Sequence, residues 1–251
     1  MDPMTPCLGD ASVPGSLAFV CAMPMELTAL RRELSLEKTR VESLDIHAGF
    51  LGERAVVAIV TGIGPVLATR GLECLMEVVD VGRVVVVGIT GAVDDETPIG
   101  TLVVPEVVVD GTTGAEYRPD RLGEGEPSGK MWTSNVFITD LEVIDCLRAK
   151  GVVSLDMETA AIAEVCERRN IPWSVFRVVS DRATDDSVNE EVMHLTSQDG
   201  TPRARAVASY VLRHPRSVPA LARLARAVRS ATEQAAAAAI GAVSQLSSTG
   251  P

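Results

Sequence analysis

The chain's 251 residues, 46% of them hydrophobic, suffice for one α/β domain with a substantial core. Against 23 basic residues stand 34 acidic ones, and the net charge of -11 argues against a nucleic-acid backbone or an anionic lipid surface as partner. Five scattered cysteines (Cys7, Cys21, Cys74, Cys146, Cys166) include no C-x-x-C pair, so they suggest neither a disulfide framework nor a zinc site and fit a reducing cytoplasm.

Residues 1–15 mix Pro, Gly, Asp and Ser without period and read as a flexible tail, as do residues 244–251, which leaves a domain over 16–243. No lysine or arginine precedes Arg31, which makes the start a poor signal peptide, and no apolar run approaches the roughly 18 residues of a membrane span. Short β-branched runs at 17–21, 55–60, 84–89, 102–109, 152–155 and 175–179 predict strands. Several are continuously apolar, as strands buried on both faces are. Helices are expected at 25–34, 66–78, 141–149, 159–169 and 218–243. In the last of these, Val218, Leu221, Leu224, Ala225 and Val228 recur at helical spacing while Arg223, Arg226 and Arg229 fall toward other faces, so it should dock as a surface helix. The alternation gives an α/β layer architecture around one mostly parallel or mixed sheet. Residues 110–130 form the longest stretch without apolar period, either a functional loop or a plain insertion.

Ligands of open α/β sheets bind beyond the carboxyl ends of strands. Four such ends carry polar residues: Glu26 after the first strand, Thr90-Gly91 after 84–89, Asp156-Met157-Glu158 after 152–155, and Ser180-Asp181 after 175–179. Each carboxylate also has an ordinary helix-end or turn explanation. Glu26 follows Pro24 as an acid does in a first helical turn, Asp156 suits a cap of the following helix, which is the reading favoured for it, and Asp181 suits a cap of the turn after it.

Taken in order, Ala22-Met23-Pro24-Met25-Glu26, Thr61-Gly62-Ile63-Gly64, Thr90-Gly91, Asp156-Met157-Glu158-Thr159-Ala160-Ala161-Ile162-Ala163 and Val175-Phe176-Arg177-Val178-Val179-Ser180-Asp181 resemble the methylthioadenosine/S-adenosylhomocysteine nucleosidases and their relatives in the purine nucleoside phosphorylase superfamily. The resemblance spans about two thirds of the chain. It implies a three-layer α/β/α domain with a central mixed, partly barrel-like sheet, acting without cofactor or metal on a purine, adenine-type nucleoside, as a homodimer. By the same resemblance Glu26 deprotonates the attacking water, Asp181 protonates the purine with support from Ser180, and Glu158 grips the ribose hydroxyls with Met157 beside them. Arg177 orients the water or its carboxylate, Phe137, flanked by Val136 and Ile138, stacks on the base, and Thr90-Gly91 forms the central turn. Protonating the leaving purine and activating water from the other face is the logic of glycoside cleavage.

The chain departs from the family where Thr-Gly is usually followed by Ser-Ala-Gly-Gly; it reads Ala92-Val93-Asp94-Asp95, losing a hydroxyl at Ala92 and adding charge that repels anions unless those acids merely form a solvated loop. Ile89 stands where the phosphorylases carry a phosphate-holding arginine, which favours water as nucleophile. The alternatives are a phosphate-dependent phosphorylase, a hydrolase of a larger nucleoside of futalosine or adenosylhopane type, and a nucleoside-binding protein without catalysis. A dinucleotide site is disfavoured because Leu67 stands where a third glycine belongs after Gly62-x-Gly64, and metal hydrolysis because His47, His194 and His214 are isolated.

Overall fold

The computed structural model describes residues 15–123, 125–184, 197, 201, 203–214, 216 and 218–248. In chain order these form β1 (Ser16–Cys21), α1 (Pro24–Glu33), β2 (Glu37–Val41), β3 (Leu44–Leu51), β4 (Arg54–Val60), α2 (Pro65–Val78), β5 (Val81–Ala92), β6 (Leu102–Val103), β7 (Val107–Asp110), β8 (Glu116–Tyr117), β9 (Lys130–Thr133), α3 (Leu141–Ala149), β10 (Val152–Asp156), α4 (Thr159–Arg169), β11 (Trp173–Arg182), α5 (Ala204–Arg213) and α6 (Val218–Ser248). One mixed sheet carries the strand order β2-β3-β4-β1-β5-β10-β9-β7-β8, with β11 on the other edge of β5 and β6 beyond it. The ends of that path, β2 and β8, do not pair, so the sheet is open.

Helices cover both faces, and the apolar strands alternate between them. Leu17, Phe19, Cys21, Val85, Val87, Phe176 and Val178 pack with α1 and the alanine-rich half of α6. Ala18, Val20, Val84, Val86, Val175 and Val179 pack with α2 and α4 through Leu72, Leu75, Ile162 and Ala163. This is why β1, β5 and β11 read as unbroken hydrophobic runs: neither face meets water. A smaller cluster of Val93, Ile144, Leu147 and Val152 seats α3.

The strand expected over 102–109 is two strands. Pro105 interrupts it, having no N–H to give to a ladder. Strand β2 (Glu-Lys-Thr-Arg-Val) has no apolar signal, being an exposed edge strand whose charges ward off further pairing. Among the described residues of 110–130, Asp110 at the end of β7, β8 and the first residue of β9 lie in strands; Asp110 opens the segment as a turn anchor, its carboxylate accepting from Thr112 N at 2.8 Å and Thr113 Oγ1 at 2.7 Å. Helix α6 runs through Ser248, five residues past the expected end. Ser244 does not break it because its hydroxyl donates back to Ile240 O at 2.8 Å. Among the described residues no helix is long and apolar enough to cross a membrane, and the described cysteines 21, 74, 146 and 166 are free. His194, like most of the tail over 1–15, lies outside the described residues.

Candidate active site

Strand β5 changes neighbour along one edge. β1 accompanies it only to Val86, and β10 takes up the same edge at Gly91-Ala92, antiparallel. Between them Ile89 turns its backbone N–H and C=O into the gap, where buried polar groups need partners. Glu26 Oε1 accepts the Ile89 N–H at 2.9 Å, and Arg177 Nη1 donates to the Ile89 carbonyl at 3.2 Å. The site is thus built where the sheet splits.

Glu26 arrives from the third position of α1. Pro24 starts that helix, and the carboxylate folds back over its N-terminus so that Oε2 accepts from Ala22 N (2.8 Å) and Met23 N (2.9 Å). The helix-end explanation is therefore correct, and it also delivers a carboxylate, 1% exposed, to the split in the sheet. Burial raises the Glu26 pKa, while Arg177 and the three N–H donors resist that rise.

Arg177, itself 2% exposed, is the hub. Its Nη2 lies 2.8 Å from Asp156 Oδ2 and 3.4 Å from Glu158 Oε2, and its Nη1 3.5 Å from Glu26 Oε1. Asp156 does cap the start of α4, accepting from Thr159 N at 2.9 Å and from the Thr159 hydroxyl, and it takes Thr133 Oγ1 at 2.6 Å as well. Glu158 Oε1 accepts Gly64 N at 2.8 Å. Gly64 has φ +98°, a conformation open to glycine and strained for other residues, and that turn aims its N–H at the carboxylate.

Three carboxylates share one guanidinium, so one of them holds its proton readily. Burial, then the nearby Asp156 charge, push Glu158 up to about 7, against the pull of Arg177. Between its ordinary value of 4.5 and about 7 the folded protein keeps a proton on Glu158 that the unfolded chain has released. The stability this group contributes is full below the lower value and is lost as pH rises through the upper one. Glu158→Gln should remove that part of the decline, so urea midpoints of mutant and wild type should shift in the mutant's favour across the window. Parallel curves would contradict the assignment.

Asp181 enters on the opposite edge of β5. The pairing of β11 with β5 shifts register between Val179 and Asp181, a bulge that leaves Ser180 as the extra residue and re-aims the side chain after it. Ser180, buried, donates to Asp181 Oδ1 at 2.5 Å. Asp181 pairs with Gly91, two residues beyond the Ile89 anchor of Glu26, so the two attachment points lie about 7 Å apart along β5.

One cavity of 590 Å³ is lined by Glu26, Thr90, Gly91, Val136, Phe137, Ile138, Met157, Glu158, Arg177, Ser180 and Asp181, which brings every site residue expected from the sequence to one place. Thr90 braces the split by donating to Leu155 O at 2.7 Å. Asp94 and Asp95 do not line it. Asp94 anchors a loop through Thr97 N (2.6 Å) and Glu96 N (2.9 Å), and Asp95 accepts from Thr184 Oγ1, so the structural explanation holds for both.

A family model described as the phosphorylase superfamily matches residues 16–130 and 122–214. The chain belongs to this superfamily. Among its relatives the 5'-methylthioadenosine/S-adenosylhomocysteine nucleosidase of Shewanella denitrificans is 30% identical over 202 residues, which are 68% of this chain and 88% of the relative. The structure of the nucleosidase of that name from Neisseria meningitidis, in complex with methylthio-immucillin-A, superposes with a TM-score of 0.69 at 16% identity, covering 92% of this chain and 99% of the other. Futalosine hydrolase of Helicobacter pylori gives 0.67 at 15% identity over 94% and 98%. These two likenesses establish the superfamily fold.

For Asp156, one of the strand-end residues, helix capping is the reading the sequence favours; that Arg177 pairs with it depends on β10 and β11 flanking β5. Gly88 was not singled out in the sequence. A Cβ there would stand 2.1 Å from Glu26 Oε1 and 2.6 Å from Arg177 Nη1, so only glycine lets the ion cluster lie against β5. A lone glycine inside a valine-rich strand is the signal that could have found it. The lining residues of α5 were not foreseen either, because no helix was expected over 204–213.

Proposed function

We infer that this protein is a nucleosidase that hydrolyses the N-glycosidic bond of a purine nucleoside with an adenine-type base. The observation that carries the reading is the buried Glu26–Arg177–Glu158 cluster in the split of the sheet, with Asp181 on the same cavity from the far edge of β5. In this mechanism Glu158 accepts hydrogen bonds from the ribose 2'- and 3'-hydroxyls and fixes C1' between the other groups. Asp181 delivers its proton to N7 as the C1'–N9 bond breaks, so the purine leaves neutral, and positive charge develops on the sugar as in other glycoside cleavage. Water held near Arg177 adds to C1' and gives its proton to Glu26. Phe137 stacks on the base, with Val136 and Ile138 beside it, and Met157 packs on the ribose.

Water is favoured over phosphate by the charges. Among the described lining residues Arg177 is the one cation, and it already faces three carboxylates, so a phosphate dianion would enter a net negative site. Ile89 offers only backbone where a phosphate-holding arginine would stand. The partner is accordingly a small-molecule nucleoside rather than nucleic acid, and the cytoplasm is the compartment that supplies it. A homodimer completes the reading: α2 buries one face on α4 and leaves Val66 at its exposed start, and sedimentation as a monomer at micromolar concentration would overturn this part.

Purified protein should release free base and free ribose from adenine nucleosides, at a rate unaffected by added phosphate. Ribose-1-phosphate as product would make it a phosphorylase. Release of no base from any purine nucleoside would end the enzymatic reading.

A further inference from the structure

The net charge of -11 is an average over two unlike parts of the chain. Between Asp199 and Glu233 there is no acidic residue, so all 34 acids lie outside this segment, while seven arginines fall within it, from Arg203 to Arg229. All seven are exposed, and among the described residues only Arg229 of the seven pairs with an acid, Glu233 at 3.3 Å. Helical period places them. On α5, Val207 and Val211 line the cavity, and Arg205, Ser209, Leu212 and Arg213, spaced i, i+4, i+7 and i+8, form the opposite face, exposed throughout. On α6 the turns before Ala231 overhang the same cavity with Leu221, Leu224 and Val228, which leaves Arg223 and Arg226 on the outer side. The corner between the helices joins the two basic faces. Arg213, His214 and Arg216 are exposed there, beside Val218 at 42% and Leu212, which at 83% is the most exposed large apolar side chain among the described residues. Val218 also lines the cavity, so this surface borders its mouth.

A partner for this face has two demands to meet at once. Guanidinium groups without an acid partner attract anions, and a leucine held in water among them gains only by entering hydrocarbon. A second copy of this chain fails the first demand, because a two-fold contact through the face would set arginines against arginines. Nucleic acid fails the second. It offers phosphates and base faces, which call for an aromatic stacking platform rather than a leucine, and the one aromatic of α5, Tyr210, already packs on His214 with ring centroids 4.7 Å apart. An anionic bilayer meets both demands, its headgroups facing the arginines and its acyl boundary the leucine. Arginine stems are themselves apolar and reach headgroups from a helix lying flat on the surface. We propose that α5 and the first turns of α6 form a docking face for an anionic phospholipid bilayer. The segregated charge sets the orientation, with the arginines toward the lipid and the acid-rich remainder away from it. Neither the face nor its test depends on the nucleosidase reading.

The test is co-sedimentation of the full chain with vesicles of phosphatidylcholine alone and of phosphatidylcholine with about one third phosphatidylglycerol, at low salt and at about 0.5 M salt. At low salt the protein is expected to bind the anionic vesicles at least about tenfold more tightly than the neutral ones, and at high salt to lose that preference. Replacing Arg223→Gln and Arg226→Gln should weaken binding about fivefold for each arginine removed. The pair Arg223→Lys and Arg226→Lys should keep it, and Leu212→Ser should weaken it without touching a charge. All three side chains are exposed, so the melting temperatures of these variants should match the wild type. Failure to bind anionic vesicles, or binding that the glutamine pair leaves unchanged, overturns the proposal. Tighter binding to a single-stranded oligonucleotide than to the anionic vesicles at the same salt overturns it in favour of nucleic acid, and loss of self-association in the glutamine pair overturns it in favour of a second copy.

Discussion

Asp181→Asn should lose about 10²- to 10⁴-fold in turnover on purine nucleosides, the range typical of removing a general acid, while still binding ligand. Ser180 Oγ donates to Asp181 Oδ1, and an asparagine oxygen in the same place accepts that bond, so this anchor beside the β11–β5 bulge is kept. What disappears is the proton for N7. The loss should accordingly fall on kcat with KM nearly unchanged, and it should shrink for substrates whose base leaves without protonation, because these do not draw on the acid. Single-turnover rates on a natural purine nucleoside and on a nucleoside with an activated leaving group give both numbers. Full turnover of the natural substrate by the mutant would sink the role.

Most of the layered core was legible because its strands are buried on two faces. Leu17 to Cys21 and Val84 to Val87 alternate between two helical layers, and no polar residue interrupts them. The charged edge strand β2 was not, since an exposed edge strand carries little of the hydrophobic signal that sequence reading relies on. The site divides in the same way. Glu26, Asp156, Glu158 and Asp181 could each be found at a strand end, where the chain itself marks a ligand-facing position. The grouping of the first three around Arg177 depends on β5 exchanging β1 for β10 between Val86 and Gly91, a switch of sheet neighbours that no local pattern in 81–92 encodes. Asp156 shows the cost of judging a residue alone. Its capping of α4 is real, and the same oxygen, Oδ2, also holds Arg177 at 2.8 Å, so one side chain fixes both the helix start and the hub of the site. The apolar overhang of α6 was visible as periodicity, but which half of that helix docks and which half faces a cavity is decided by alanines that pack close to β5 and β11.

Glu26→Gln and Glu158→Gln should separate in both kinetics and stability, although both residues sit at helix starts. Glu26 accepts on both oxygens: Ala22 N and Met23 N on one, Ile89 N and the Arg177 guanidinium on the other. A carboxamide has one acceptor oxygen, so whichever way it is turned its NH₂ faces N–H donors. At least one buried backbone N–H is left unmet, Ile89 N in one orientation and Ala22 N and Met23 N in the other, at about 1–3 kcal/mol each. Glu158 differs because it carries its proton through part of the neutral range, and a glutamine imitates that neutral form. Its single backbone donor, Gly64 N, can keep the amide oxygen. Glu158→Gln is therefore expected to melt close to wild type and Glu26→Gln several degrees below it. Kinetically, without its base the Glu26 mutant should fall about 10²- to 10⁴-fold in kcat with KM little changed. The Glu158 mutant should worsen in KM and kcat together, since ribose contacts act before and during bond breaking. Assays run well below both melting points exclude unfolding as the cause. If capping α1 were the sole work of Glu26, its mutant would show the stability loss with normal turnover, and that result would take the base out of the mechanism.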